Sequence, residues 1–283
     1  MKPTLKLVTF LTAMLGGAST FAADFAVNSI GYRYAPSQSV PGVASKVSKN
    51  IFTFTHFSTD KLGTNLFSID YLKSASNDPA NDPANRGAQG ATEYFGFYQR
   101  NFSLSAMTGN KTGYGFAKDL SLTARVIAGT KNTTFAPAPL AVQLGMEADM
   151  PVSAGMWSIG IAAYKENNYN GIVFPGKVAG GVSFKVAPAL TTAWAIPVGG
   201  VGTFAGFGSI VGPKGKDGFG ADTKTETLLQ AKFMFDVMGP QSGLTAGVGV
   251  EYWNNKFGCN NGTAVPANSC KATTPLLLVE YKL

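Results

Sequence analysis

From Leu140 to Met150 the chain reads LAVQLGMEADM, and every even position is apolar: Leu140, Val142, Leu144, Met146, Ala148 and Met150. The odd positions place Gln143, Glu147 and Asp149 beside Ala141 and Gly145. Side chains of an extended strand alternate faces with period two, so one face here has no polar atom and the other has two carboxylates. The pattern recurs. Leu120, Leu122, Ala124 and Val126 alternate with Ser121, Thr123 and Arg125, and Leu229, Ala231, Phe233 and Phe235 with Gln230, Lys232, Met234 and Asp236. Leu244, Ala246, Val248 and Val250 alternate in the same way with Thr245, Gly247, Gly249 and Glu251.

Extending that count predicts twelve strands near 27–35, 47–58, 64–73, 91–104, 118–129, 139–150, 156–166, 177–187, 192–210, 225–237, 243–255 and 274–283. No helical period separates them, so the sheet is expected to be antiparallel. The connections alternate between compact ones (STDKLG, PVSAG, APALT, MGPQS) and long ones such as KSASNDPANDPANRGAQG and VGPKGKDGFGADTK. Short turns at one end and long loops at the other are the signature of an outer-membrane barrel, with the long loops outside. The turn around Met107–Phe116 is the exception, being long on the short-turn side.

A soluble β-sandwich also alternates, but it packs its apolar face on a second sheet and turns its polar face to water. A membrane barrel inverts this, with apolar residues facing lipid and polar residues facing a wet lumen. Closure leaves no unpaired edge in hydrocarbon. Composition favours the inverted arrangement: only 14% of the 283 residues are charged, and 34 are glycine. Residues 1–22 read as a secretory signal peptide, with Lys2 and Lys6 before an uncharged stretch and small residues before a cut after Ala22. The mature chain, 23–283, has no apolar run long enough for a spanning helix. The expected fold is therefore all-β: a single antiparallel transmembrane β-barrel of about 12 strands in the bacterial outer membrane. The net charge of +7 is scattered, with no basic run, which argues against nucleic acid as a partner.

The inward parity nominates the pore-lining set: Asp70, Arg125, Glu147, Asp149, Lys185, Lys232, Glu251 and Glu280, with Tyr164 and Trp253, joined by Tyr98 and Arg100. Mixed charges on opposing walls would create a transverse field, while aromatic faces offer stacking. The alternative is an internal salt-bridge network that fills a plugged barrel. Trp157 and Trp194 lie beside short turns and read as interface-girdle residues. The single histidine, His56, is read as structural or interfacial; a barrel hydrolase would pair it with Ser58, on the same strand parity. No G-x-S-x-G elbow and no metal-ligand spacing is present, so neither an enzyme nor a cofactor is expected. Cys259 and Cys270 most simply form a disulfide in an exported protein, free thiols being the alternative. NDPANDPAN reads as a stiff surface loop rather than a calcium site at Asp78 and Asp82.

Several stretches resemble the Tsx family of nucleoside-specific outer-membrane channels. They are NIFTFTHFSTDKLGTNLFSIDYLKS, YQRNFSLSAMTG with its long following turn, YKENNYNG, and the closing strand LLLVEYKL. The resemblance covers most of the mature chain. It implies a twelve-stranded monomeric barrel with a narrow pore and weak nucleoside sites. The closing strand, with Tyr281 third from its end, also resembles the terminal strand that barrel-assembly machinery reads, although it ends in Leu283 where Phe is usual. The expected partners are thus outer-membrane lipid, that machinery and a small polar solute, nucleosides first. A non-specific ion-pair-lined pore and a closed barrel that binds partners through its loops are the alternatives.

Overall fold

A computed structural model describes residues 23–78, 90–133, 136–171, 180–239 and 242–283. The signal-peptide segment and most of NDPANDPAN, including Asp82, lie outside the described residues.

Thirteen strands follow in order: β1 (Phe25–Gln38), β2 (Val47–Asp60), β3 (Gly63–Ser74), β4 (Thr92–Ser103), β5 (Asp119–Lys131), β6 (Leu140–Asp149), β7 (Met156–Asn170), β8 (Gly180–Ser183), β9 (Ala187–Val198), β10 (Gly202–Val211), β11 (Glu226–Asp236), β12 (Leu244–Asn254) and β13 (Ala272–Lys282). All pairings are antiparallel, and β1 closes on β13. Only β8 stands apart, pairing with the last residues of β7 above the wall. Twelve strands therefore make a closed barrel. Following the register once around it returns to β1 about 16 residues displaced, a stagger that tilts the strands by about 40°.

The strand number agrees with the alternation, but one hairpin is shifted. The expected strands at 177–187 and 192–210 are replaced by β9 and β10. The reason is local: Gly199 and Gly200 both adopt positive φ, 54° and 72°, and turn the chain inside the expected ninth strand. APALT, expected as a turn, is instead the start of β9.

Both ends of the barrel are built by sequence chemistry. Asp60 and Gly63 close the β2–β3 hairpin, with the Leu62 N–H donating to Asp60 Oδ1 at 2.9 Å. The long connection on the same end contains the one α-helix among the described residues, α1 (Leu104–Thr108), capped by the Ser103 hydroxyl and ended by Gly109 in the left-handed region. Asp119 ties that connection down, accepting from Ser105 Oγ and Thr112 Oγ1 at 2.6 Å each. At the other end, Cys259 and Cys270 form the expected disulfide within the β12–β13 loop, with Cα atoms 6.0 Å apart.

The wall has inverted polarity. On β6, Leu140, Val142, Leu144 and Met146 are exposed while Gln143 and Glu147 are buried. The same holds on β13, where Leu277, Val279 and Tyr281 are exposed. Among the described residues, the buried apolar clusters are two patches on the inner wall. One gathers Ala35, Ile51, Leu72, Met234, Leu276 and Leu278; the other gathers Ala141, Tyr164, Ala187, Ala189 and Val211.

Candidate functional site: the lumen

The inner wall carries ionic and amide groups in three tiers. Near the middle, Arg33 on β1 meets Asp70 on β3 at 2.6 Å, and the Thr53 hydroxyl donates to the same carboxylate at 2.6 Å. Lys232 meets Glu280 at 3.0 Å, and both side chains keep about a quarter of their surface open, 25% and 29%. Phe207 pairs with inward Gln230 and is 41% exposed, so its ring faces open lumen. Across β4 to β6 an amide relay forms. Arg125 Nε donates to Gln99 Oε1 at 2.7 Å, and its guanidinium lies 5.1 Å from the Phe97 ring centroid. Gln99 and Asn101 then donate to Glu147 at 3.2 and 2.9 Å.

The long-loop end is tighter. Lys49 contacts Glu93, and Lys131 reaches Asp78 at 2.6 Å and Glu93 at 3.7 Å. Asp78 is fully buried in that contact. A second cluster hangs on Lys214, from the β10–β11 loop. It pairs with Glu166, lies 3.8 Å from Glu226, and stacks over the Tyr164 and Phe184 rings. Tyr164 donates to Glu166 at 2.7 Å, and Trp253 Nε1 to Glu226 at 2.8 Å. Glu251 accepts from Gln38 at 2.7 Å and Gln230 at 3.0 Å. In the short 3-10 turn after β12, the Lys256 ammonium sits 4.1 Å from the Trp253 ring centroid. Burial first, and then the neighbouring Lys49 ammonium, pull the Lys256 pKa down to about 8.

Of the sequence-nominated residues, Asp70, Arg125, Glu147, Tyr164, Lys232, Glu251, Glu280 and Trp253 lie on the inward parity. Asp149 shares it but sits exposed at the short-turn end. Three nominations are corrected. Tyr98 and Arg100 face outward: Arg100 pairs with outward Ala124, whereas the inward position beside it is Gln99, opposite Arg125. β4 is apolar on neither parity, so only its register against β5 decides the face. Lys185 is exposed in the stretch between β8 and β9, because the strand expected there is not part of the wall. The sequence reading missed Arg33, Lys49, Glu93, Lys131, Glu166 and Glu226. Carrying the inward parity two residues past Tyr164 would have found Glu166. Lys214, on a loop, has no such signal.

Trp157 and Trp194 are cross-strand partners on the outer wall near the short turns, with Trp157 Nε1 donating to Thr192 Oγ1 at 3.1 Å. His56 also faces outward, between Asn28 and Ser58.

No family model and no curated protein matches this sequence. Solved structures are similar to it at low identity. A KdgM porin aligns over 89% of this chain and 98% of its own, at 9% identity and a TM-score of 0.43. The translocator domain of the autotransporter NalP from Neisseria meningitidis aligns over 98% and 95%, at 12% and 0.43. Pseudomonas aeruginosa OccK5 (OpdH) aligns over 92% and 98%, at 10% and 0.24. At such TM-scores these likenesses carry no weight for function.

Proposed function

We propose that this chain is a bacterial outer-membrane channel that passes small polar solutes by diffusion, nucleosides foremost. The supporting observation is the inverted wall: exposed leucine, valine and methionine outside, and a charged, amide-rich bore inside that is open around Phe207 and the Lys232–Glu280 pair. Only lipid solvates such an exterior without cost, and a wet lumen suits such an interior. The long loops then face outward and the short turns the periplasm. Residues 1–22 direct export, the chain works as a monomer, and the closing strand is read by the assembly machinery.

A solute would meet Asp70, Arg125, Glu147, Lys232 and Glu251 along the wall, with Tyr164 and Trp253 at the outer constriction and Asp149 at the inner mouth. A nucleoside suits that chemistry, since its base stacks on Phe207 or Phe97 and its hydroxyls donate to carboxylates. The resemblance to the Tsx family makes nucleosides the first solutes to test. Reconstitution in planar bilayers tests both levels. Stable conductance that falls on adding millimolar adenosine or thymidine supports the specific reading, and unchanged current leaves a non-specific pore. A specific observation favours a second reading, a closed barrel: Lys214, Glu166 and Asp78 at the outer end are almost wholly buried. Absence of conductance would select it.

A further inference from the structure

Toward the short-turn end, the outer wall of β1 to β4 carries the polar residues Asn28, His56, Ser58, Asn65 and Arg100. His56 Nδ1 lies 2.8 Å from Asn28 Oδ1, and His56 Nε2 lies 3.2 Å from Ser58 Oγ. An amide oxygen only accepts, so Asn28 fixes the proton on Nδ1 and leaves Nε2 as the acceptor facing the serine hydroxyl. Nucleophile, base and orienting group are thus in hydrogen-bond sequence. Tyr98 donates its hydroxyl proton to Asn65 Oδ1 at 2.7 Å, which turns the Asn65 amide nitrogen toward Ser58 Oγ, 3.4 Å away. A donor therefore stands beside the serine oxygen, on the side where the carbonyl oxygen of an ester attacked there could receive it.

A second observation lies directly above. Ile30 and Phe54, the next outward residues after Asn28 and His56, begin a groove of about 570 Å³ that continues along Ile69, Tyr71, Tyr94 and Tyr281. That volume lies within the ~300–1,000 Å³ of ligand clefts. The side chains facing the wall's exterior there are aliphatic or aromatic, which suits hydrocarbon. On the other side of the triad, Arg100 grips Asp60 with two bonds of 2.8 and 2.9 Å, and Lys61 is exposed in the adjoining turn. Ser58 and His56 stand two and four residues from the end of β2, or about 5 and 10 Å from the turn end along tilted strands.

We propose that this wall carries an acyl-ester hydrolase site for glycerolipids of the adjacent leaflet, with Ser58 as nucleophile, His56 as general base and acid, and Asn28 as positioning residue. The proposal rests on the barrel spanning a membrane. One acyl chain lies in the groove, its ester carbonyl at Ser58, and the polar headgroup toward Lys61 and the Asp60–Arg100 pair. Ser58 Oγ bonds to the carbonyl carbon as its proton passes to His56 Nε2, and Asn65 donates to the oxyanion. The bond to the glyceryl oxygen breaks, and His56 returns the proton to that alcohol. Water, deprotonated by His56, then cleaves the acyl-serine and releases the fatty acid and the free hydroxyl. Water is the only co-reactant.

The test uses the full mature chain in detergent micelles with dioleoylphosphatidylethanolamine, reading fatty-acid release, together with fluorophosphonate labelling mapped by mass spectrometry. Release is expected, with the label on Ser58. Ser58→Ala and His56→Ala should each lower it by about 100-fold or more. Asn28→Leu should lower it and Asn28→Asp restore it. Ile69→Trp, which fills the groove, should raise KM for the long-chain lipid but not for a short-chain ester. No release above that of protein-free micelles, or equal release by Ser58→Ala, overturns the proposal. Heat-modifiable gel migration of the same preparations reports whether the barrel is folded, and conductance in bilayers reports separately whether it is a channel, so loss of the channel reading and loss of this one are distinguishable.

Discussion

Arg125 and Val126 are consecutive on β5, and they make the sharpest test of which side of the wall meets lipid. Arg125 points inward, bonded to Gln99 and stacked on Phe97. Val126 points outward between Tyr98 and Val142. Val126→Arg places the same guanidinium at the same depth on the opposite face. If that face meets hydrocarbon near midplane, the substitution costs about 2–4 kcal/mol. If it meets water, the change is an ordinary surface replacement, within about 0.5 kcal/mol of neutral. Urea unfolding of the barrel from phospholipid vesicles separates the two. With m near 2 kcal/mol/M, the lipid-facing case lowers the midpoint by roughly 1–2 M at unchanged slope. A midpoint within about 0.25 M of the parent would refute the assignment of the faces, and the channel reading with it.

Other outcomes follow from the lumen. Removing the half-open pair one partner at a time should shift ion selectivity in opposite senses: Lys232→Gln toward cations and Glu280→Gln toward anions, read as reversal potentials under a salt gradient. Lys214→Met leaves Glu166 buried without its cation, a loss of about 3–5 kcal/mol, and should raise single-channel conductance by freeing the β10–β11 loop. Lys256 releases its proton near pH 8 in the folded chain, against 10.5 for the free side chain. Between those values the unfolded chain binds more protons, so stability should rise with pH across that window. Over the same rise the outer mouth loses a positive charge and cation preference should grow; Lys256→Met should abolish the pH dependence of both. Cys259→Ser should lower the barrel's stability to unfolding by no more than about 3 kcal/mol and leave conductance intact, because the bridge closes a loop of 11 residues' separation outside the wall.

Alternation made most of the barrel legible because the outer face is held to so few residue types. Glu147, Lys232 and Glu251 could be placed by counting, since their neighbours two residues away and their opposite-parity partners leave one consistent face. The same rule fails where its premise fails. On β4 both parities mix aromatic and polar residues, and Tyr98 and Arg100 belong to the outer wall, where Asn65 and Asp60 satisfy them. The shifted β9–β10 hairpin was hidden for another reason. Its turn rests on positive φ at Gly199 and Gly200, and in the sequence Pro197 and the glycines after it read as a break in one strand's alternation rather than as a turn between two. The Lys214 cluster joins a loop to Glu166 on β7, 48 residues away along the chain, which no local pattern encodes.

The lumen charges share a geometry that bears on whether the bore is open. Arg33 and Asp70 lie on β1 and β3 and reach across β2, where Thr53 is short. Lys232 and Glu280 lie on β11 and β13 and reach across β12 at Gly247 and Gly249, where an added Cβ would stand 3.1 Å from the Lys232 Cβ at Gly249. Lys49 and Glu93 straddle β3 in the same way. Each pair lies along the wall over a strand that presents small or compact side chains, so charge is satisfied without filling the axis. Pairs that met across the bore would have plugged it. The exceptions stand at the long-loop end, Lys214 against Glu166 and Asp78 against Lys131, where a loop rather than the wall delivers one partner, and whether the bore is open at that end turns on those struts.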